Sequence, residues 1–455
     1  MRTTTGLWSL ERFRRSHIID VVLVLLLMTI VAFASFRGST LLDSSIIDWK
    51  TGSTWFEADT PRIYRNMVDR RSDHRRSSQL HPLFSISANS FVNVLEMATG
   101  AGPLLAVRIY VALICAAIIA VLYGVLRLVL QDRLAAVVFC VLAMTTSTAM
   151  FWGILPETYL PGCLSILFAL LVSALDERHR VSDTSLMLVS AATLSFTITN
   201  WMVGLFLAAT HRRWKRGVMI TFGALIAVAI VWLVQSRLYT HADLLSVNSI
   251  TAEKGYVSHP QSSGVWAKTR SFVYHGMIMP AIQSLDRYKR PEWPIMTVQQ
   301  SAIGSGTVVG VPAAIIWTLL LLCGIITVFR MRALRRFRLF LGLSIAGQLM
   351  LHILYGSDTF LYAMHYVPLL IVIAAFGAST RLRPLVLLGA TLLAVMAAYN
   401  NGVLLSEARA RFDPPTQALR YGVALPIASS AVSQPLSGNM RAVCVANSGE
   451  CASNS

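Results

Sequence analysis

Long apolar runs constrain the fold of this chain more than any other feature of its sequence. Residues 21–36 and 313–328 contain no charged side chain, and runs of this kind carry an α-helix across a hydrocarbon layer of about 30 Å. Only 13% of the 455 residues are charged, whereas soluble domains carry about 25%. The sequence therefore predicts an all-α polytopic membrane protein and excludes both a soluble globular enzyme and a disordered chain.

The apolar runs predict about eleven transmembrane elements, two of them short. Nine long candidate spans lie at 18–36, 104–126, 134–151, 157–175, 217–236, 308–329, 339–355, 363–379 and 384–402. We interpret 184–210 as two short helices that turn near Thr199–Asn200. This count places the basic clusters at 212–216, 330–338 and 381–383 on the side of the N-terminus, as the positive-inside rule favours. Two full crossings need more residues than this run has, so the pair must be shielded by protein.

A rival count makes 82–99 a crossing. Its polar residues are costly in lipid, so an amphipathic helix at the outer interface suits this segment better. The preferred count gives a membrane-embedded domain over 1–402, with long outer loops at 37–103 and 237–307, and an outer tail over 403–455. It predicts a cytoplasmic N-terminus and chemistry at the outer face of the membrane, which is the periplasmic face if the membrane is the bacterial cytoplasmic membrane.

The formal charge of +17 does not indicate nucleic-acid binding in this context. The cations cluster in short loops beside apolar runs, where they set orientation and meet anionic membrane lipids. No nucleic-acid recognition motif accompanies them, so nucleic acid is not a predicted partner. The sequence also has no Walker loop, Rossmann glycine signature or GxSxG elbow, which disfavours nucleotide-driven transport and serine hydrolysis.

Two acidic residues near predicted helix starts are the candidate catalytic groups. Asp59 begins a helix-like stretch in which Ile63 and Met67 follow at intervals of four, so it is either a helix cap or a general base held at the membrane surface. Glu157 follows Pro156 at the mouth of a predicted span. It either caps that helix or supplies a second carboxylate to the same outer cavity.

The late segment 356–368 is a third candidate site. Asp358 and His365 are seven residues apart, so they share a face if both are helical. His365 would then lie at the outer end of a span, where its ring can donate a hydrogen bond to a phosphate. The alternative is an interfacial belt, because Tyr residues gather at that depth. The histidines of the loop 237–307 lack metal-ligand spacing such as HExxH.

The order of these motifs along the chain resembles a known superfamily. The motifs are Glu57-Ala58-Asp59, His81-Pro82-Leu83-Phe84, Ala106-Val107-Arg108, Pro156-Glu157-Thr158-Tyr159, the short pair 184–210 and His365-Tyr366-Val367-Pro368. Over roughly residues 1–400 they resemble the GT-C membrane glycosyltransferases, in particular the branch of protein O-mannosyltransferases and lipid A aminoarabinose transferases. Two features depart from that pattern: the second acid is Glu where Asp is common, and Thr199–Asn200 stand near the place of a frequent Lys.

The resemblance implies a GT-C-like bundle with interfacial helices in the first outer loop. It also implies an inverting glycosyltransferase that moves a sugar from a polyprenyl-phosphate donor to a lipid, glycan or protein acceptor. Asp59 would take the acceptor proton, and Glu157 would orient the acceptor or Asp59. The residues expected to contact substrate or lipid phosphate are Glu57, Arg62, His81, Arg108, Asp358, His365 and Tyr366. A divalent metal cofactor stays open, with no ligand named for it.

Two other functions remain as alternatives. An O-antigen ligase or polymerase also combines basic outer loops with lipid-linked glycans, and it would depend on Arg and His in a late loop. A transporter or flippase would carry ionisable residues at mid-membrane and often internal repeats. In this sequence the charges lie at span ends and no convincing repeat is found.

Overall fold

The computed structural model describes residues 4–47, 54–72, 80–240, 242, 263–285 and 295–412. This part of the chain is almost entirely helical. Its helices are α1 (Thr4–Thr40), α2 (Thr60–Val68), α3 (Phe84–Thr99), α4 (Pro103–Leu130), α5 (Arg133–Thr145), α6 (Ser147–Trp152), α7 (Tyr159–Arg178), α8 (Asp183–Phe196), α9 (Trp201–His211), α10 (Trp214–Leu238), α11 (Val265–Arg270), α12 (Gly310–Arg330), α13 (Arg335–Leu354), α14 (Ala363–Ala375) and α15 (Arg383–Ala410). Two short antiparallel strands, β1 (Gln283–Leu285) and β2 (Ile295–Thr297), pair Ser284 with Met296.

Eight helices of the described residues are long and apolar enough to cross a membrane. They are α1, α4, α7, α10, α12, α13, α14 with its flanking turns, and α15. The shorter helices α5, α8 and α9 complete a set of eleven within the same part of the chain, in agreement with the count from the sequence. The predicted all-α polytopic membrane fold is confirmed.

Ion pairs gather at one end of this bundle, which we call the basic end. Asp20 of α1 accepts hydrogen bonds from Arg127 and Arg133 at 2.9 Å each. Arg212, which follows α9, binds Asp176 at the end of α7 at 3.0 Å. These contacts join helix ends that are distant in sequence. We call the opposite end the site end.

The run 184–210 forms the predicted pair of short helices. A 3₁₀ turn, Ile198–Asn200, separates α8 from α9, and Thr199–Asn200 lie within it as expected. Both helices contact α7 and α10. Neighbouring helices thus cover backbone that two short elements would otherwise expose to lipid.

The predicted span 134–151 is interrupted, which the sequence analysis did not foresee. Helix α5 ends at Thr145, and the Thr146 side chain caps α6 by accepting a hydrogen bond from the Ala149 amide. The amides of Ser147 and Thr148 donate to the carbonyls of Met277 and Gly276 from the second long loop. The predicted helix is therefore interrupted at Thr146. The Thr146 hydroxyl caps the helix that follows, and carbonyls of the second long loop accept hydrogen bonds from its first amides.

The segment 82–99 contains α3, whose polar face is turned inward. Ser85 and Asn89 are buried, and the Asn89 amide donates to the Met67 carbonyl of α2 at 2.7 Å. Val94 and Met97 are among its exposed residues, and Met97 is 86% exposed. With 16 residues and an outward apolar face, α3 suits an interfacial position better than a crossing.

The last helix extends beyond the predicted end of its span. Helix α15 continues to Ala410, so the boundary placed at 402/403 falls inside it. Most of the tail predicted over 403–455 lies outside the described residues. Near the site end, Asn401 of α15 accepts from the Met279 amide and donates to the Thr145 and Met277 carbonyls. It thus fixes the second loop against the bundle.

Candidate active site

A rigid turn from the first long loop presents Asp59. Phe56 and Glu57 both adopt left-handed backbone conformations, with φ of +50° and +59°, which are uncommon for residues with a side chain. The fully buried Phe56 ring packs against Phe360 at 5.2 Å and Phe151 at 5.8 Å between centroids. This aromatic packing holds a conformation that costs on the order of 1–3 kcal/mol per residue.

Asp59 itself is accessible and does not act as a helix cap. It occupies the position before α2, but its side chain makes no capping hydrogen bond. Its side chain is 44% exposed and forms an ion pair with Arg62, one turn along α2. Pro61 in the first turn of α2 fits a helix start, where no amide donor is needed. The carboxylate is therefore both oriented by a cation and open to a ligand.

Glu157 lies beneath Asp59 and is buried. Thr60, the residue after Asp59, donates a hydrogen bond from Oγ1 to Glu157 Oε1 at 2.8 Å. Burial and, to a smaller extent, the nearby Asp59 charge raise the pKa of Glu157 to about 8. The two acids predicted from the sequence therefore belong to one site, and Glu157 is largely protonated at neutral pH.

His81 links three parts of the site. Its Nδ1 lies 2.6 Å from the Phe196 carbonyl at the end of α8, and its Nε2 lies 3.3 Å from Thr158 Oγ1, beside Glu157. Because a carbonyl only accepts, Nδ1 carries the proton and Nε2 accepts from Thr158. Burial and the Arg62 charge lower the pKa of His81 to about 4, so the ring is neutral at pH 7.

Arg62 of α2 and Arg108 of α4 supply positive charge at the site end. Arg108 lies in the second turn of α4 and has Tyr64 of α2 as an electrostatic neighbour. Its Nε is buried without a hydrogen-bond partner in the described part of the chain. The guanidinium groups can bind an anionic ligand at the site end, since planar guanidinium groups suit phosphate oxygens.

Glu57 and Asp358 form a second contact region above the bundle. Ser357 Oγ donates to Glu57 at 3.0 Å, and Thr297 of β2 donates to Asp358 at 2.7 Å. Burial raises the pKa of Asp358 to about 6, although its hydrogen bonds oppose this shift. Asp358 precedes α14 and faces β2, so the helical face that it was expected to share with His365 does not form.

His365 and Tyr366 differ in their surroundings. His365 is 2% exposed, and its Nε2 has no hydrogen-bond partner within the described residues. The Tyr366 ring is fully buried and stacks on Phe272 at 4.0 Å, while its hydroxyl donates to the Thr359 carbonyl at 3.1 Å. The ring and hydroxyl of Tyr366 are therefore already engaged by protein, whereas His365 has a nitrogen free to bind a ligand.

No protein-family model and no curated protein matches the sequence. Among solved structures, it is similar to ArnT from Cupriavidus metallidurans bound to undecaprenyl phosphate, with 13% identity, a TM-score of 0.49, and coverage of 78% of this chain and 59% of that one. It is also similar to the archaeal oligosaccharyltransferase AglB from Archaeoglobus fulgidus in complex with an inhibitory peptide and a dolichol-phosphate (11% identity, TM-score 0.45, 85% and 56% coverage). The chain thus spans less than two thirds of either protein.

Several residues that complete the site were not identified from the sequence. Thr60 of the first loop bonds to Glu157, and Thr158 bonds to His81 of the same loop, but a lone threonine carries no recognisable pattern. Asn200, Gln348 and His352 are buried polar residues at the site end. Polar residues within apolar runs are a usable signal, because they are costly in lipid and mark functional positions. Among the described residues, no group of three or more His, Cys, Asp or Glu could hold a metal ion.

Proposed function

We propose that this chain is an inverting glycosyltransferase of the GT-C type. It moves a sugar from a polyprenyl-phosphate donor to an acceptor at the outer face of the bacterial cytoplasmic membrane. The observation that carries the proposal is the pairing of an accessible acid, Asp59, with a buried acid, Glu157, at the mouth of a membrane helix bundle. The position of the site at the end of the bundle suits a lipid donor. The tail of such a donor lies among the helices, while its sugar phosphate requires a polar site at their ends.

Asp59 acts as the general base in this mechanism. Its carboxylate takes the proton of the acceptor nucleophile as that atom forms a bond to the anomeric carbon of the donor. The bond between the anomeric carbon and the phosphate oxygen breaks, and the polyprenyl phosphate leaves with the electron pair. The attack from the opposite side inverts the anomeric configuration. General-base catalysis of this kind contributes about 10²- to 10⁴-fold in rate.

The other residues of the site position the reacting groups. Glu157 is a positioning residue, because it is buried and acts on Asp59 through its hydrogen bond with Thr60. Arg62 and Arg108 are suited to the negative charge that grows on the leaving phosphate. His81 is neutral and holds the first loop against α8, so its contribution is to the geometry of the site.

Mass spectrometry of envelope glycans from cells with and without the gene tests this proposal. A transferase leaves a glycan that lacks one sugar when the gene is deleted, and the wild-type gene restores it. Asp59→Asn should restore less than about 1% of the modification at normal protein levels. The matched control is Asp69→Asn at the other end of α2, which should restore it fully. Equal restoration by Asp59→Asn would remove Asp59 from the mechanism.

A further inference from the structure

Four buried polar side chains come together beneath the two acids. Asn200 lies in the turn between α8 and α9, Gln348 and His352 lie on the last two turns of α13, and His365 lies in the first turn of α14. All four are at most 2% exposed. We call this cluster the polar floor, because each member lies at the site end of its helix.

The members of the polar floor are neighbours: one hydrogen bond joins two of them, two face the same glycine, and His352 and His365 are electrostatic neighbours. Gln348 Nε2 donates to Asn200 Oδ1 at 3.2 Å. A Cβ atom at Gly162 of α7 would lie 2.6 Å from His365 Nε2 and 3.1 Å from Asn200 Nδ2, so both nitrogens face the same backbone. Gly162 follows Glu157 by five residues, which places the floor directly beside the proposed catalytic site.

The polar floor contains hydrogen-bonding atoms that the protein does not use. In the described part of the chain, five of its buried atoms have no hydrogen-bond partner: Asn200 Nδ2, Gln348 Oε1, both His352 nitrogens and His365 Nε2. Each such atom costs about 1–3 kcal/mol when it stays unpaired in a buried position. A cluster with a purely structural role would be more stable with apolar side chains, so these atoms indicate a polar ligand.

The composition of the polar floor limits the chemistry of that ligand. It consists of amides and imidazoles, and within the described residues no carboxylate, Lys or Arg is hydrogen-bonded to it. The adjacent cation, Lys268, directs its Nζ to the carbonyls of Ile353 and Gly356 at 3.0 and 2.8 Å. Arg62 and Arg108, by contrast, lie on α2 and α4, and Tyr64 of α2 is an electrostatic neighbour of Arg108. A phosphate suits those arginines, whereas the floor suits uncharged hydroxyl groups.

We infer that the polar floor binds the sugar of the donor and that this sugar is neutral and rich in hydroxyls. The inference rests on the proposed function and specifies its donor. The floor atoms are shielded from solvent, so a sugar reaches them when a covering ring turns. Tyr362, stacked on His352 at 4.8 Å and in edge contact with Tyr159 at 5.7 Å, is such a cover. Side-chain rotations of this kind are common on binding.

Binding measurements on the full chain in lipid nanodiscs test the inference. The probes are farnesyl phosphate, farnesyl phosphate carrying glucose, galactose or mannose, and the same lipid carrying a 4-amino-4-deoxypentose, which is cationic at neutral pH. Wild-type protein should bind at least one hexosyl lipid more tightly than bare farnesyl phosphate. The amino sugar should give no such gain, because the floor offers it no carboxylate.

Substitutions in the polar floor should weaken binding of the sugar and leave binding of the phosphate unchanged. Gln348→Leu and Asn200→Leu should weaken binding of the preferred hexosyl lipid by about three- to tenfold, as expected for one or two lost neutral hydrogen bonds. Both should bind bare farnesyl phosphate as wild type does. The matched control is Ser344→Ala, one turn before Gln348 on the buried face of α13, whose hydroxyl already bonds to the Phe340 carbonyl. It should change neither affinity.

Each other outcome contradicts either the sugar-binding role of the polar floor or the proposed function. Wild-type affinity of both floor variants for the hexosyl lipid would show that the floor holds water only. Equal losses for the hexosyl and bare lipids would show that it supports the fold rather than the sugar. Deoxy donors, each lacking one hydroxyl, measure the same contacts on unaltered protein. Failure of wild type to bind any of these lipids would overturn the proposed function and the inference together.

Discussion

Replacing Glu157 with glutamine tests whether the second acid of the site is neutral. In the folded chain, burial raises the pKa of Glu157 from 4.5 to about 8. Between these two values the unfolded chain has released the proton while the folded chain still holds it. Stability that is present below pH 4.5 is therefore lost as the pH rises towards 8, and the loss from pH 5 to pH 8 is on the order of 3 kcal/mol. Glutamine does not titrate, so Glu157→Gln removes this loss.

Thermal unfolding in detergent at pH 5, 6, 7 and 8 measures the difference. Glutamine keeps an oxygen that can accept from Thr60, so the variant should unfold close to the wild-type temperature at pH 5. By pH 8 it should unfold several degrees higher than wild type. Glu96→Gln on α3, where the side chain is partly exposed, should follow the wild-type profile. Parallel profiles for Glu157→Gln and wild type would contradict the raised pKa of Glu157, because the side chain would then be ionised beside Asp59.

Two further substitutions test the contacts that hold the bundle together. Asp20→Asn removes an acid that binds Arg127 and Arg133. Because this acid is only partly exposed, its loss should lower the free energy of unfolding by about 1–3 kcal/mol. Thermal unfolding in low and high salt measures the loss. Asn401→Ala leaves the Met279 amide and the Thr145 and Met277 carbonyls without their partner. It should lower the free energy of unfolding by about 3 kcal/mol, measured as an earlier unfolding transition. Asn93→Ala on α3 removes a half-buried side chain with one hydrogen bond, to Asn89, and should lower it less.

The topology was predictable because charge and apolar length are local properties of the sequence. The basic cluster at 212–216 required 184–210 to be two helices, and the structure contains both. Arg212 of this cluster is held at the basic end of the bundle, because its buried side chain forms ion pairs with Asp176 and Asp183. The interruption at Thr146 was not predictable, because it depends on carbonyls of Gly276 and Met277 that are remote in sequence.

The two acids of the candidate site could be named from the sequence, but the contact that joins them could not. Asp59 and Glu157 each follow a local pattern at a helix start. The hydrogen bond that joins them through Thr60 spans 97 residues, so no local pattern contains it. Tyr366 shows a second limit of local patterns, and its contact with substrate stays a prediction. Every residue of α14 from Ala363 to Ala375 is buried, so apolar periodicity could not distinguish the side that faces the site from the side that faces α13 and Phe272.

The neutral state of Glu157 decides the charge of the proposed site and therefore its fit to a phosphate donor. With Glu157 protonated, Asp59 carries the negative charge and the guanidinium groups of Arg62 and Arg108 outweigh it. An ionised Glu157 would cancel this excess and would also strengthen the repulsion between the site and the lipid phosphate. A buried, neutral Glu157 therefore leaves one negative charge fewer beside the leaving phosphate. The Glu157 side chain accepts the Thr60 hydrogen bond from a position that is only 2% exposed, so the contact and the burial occur together.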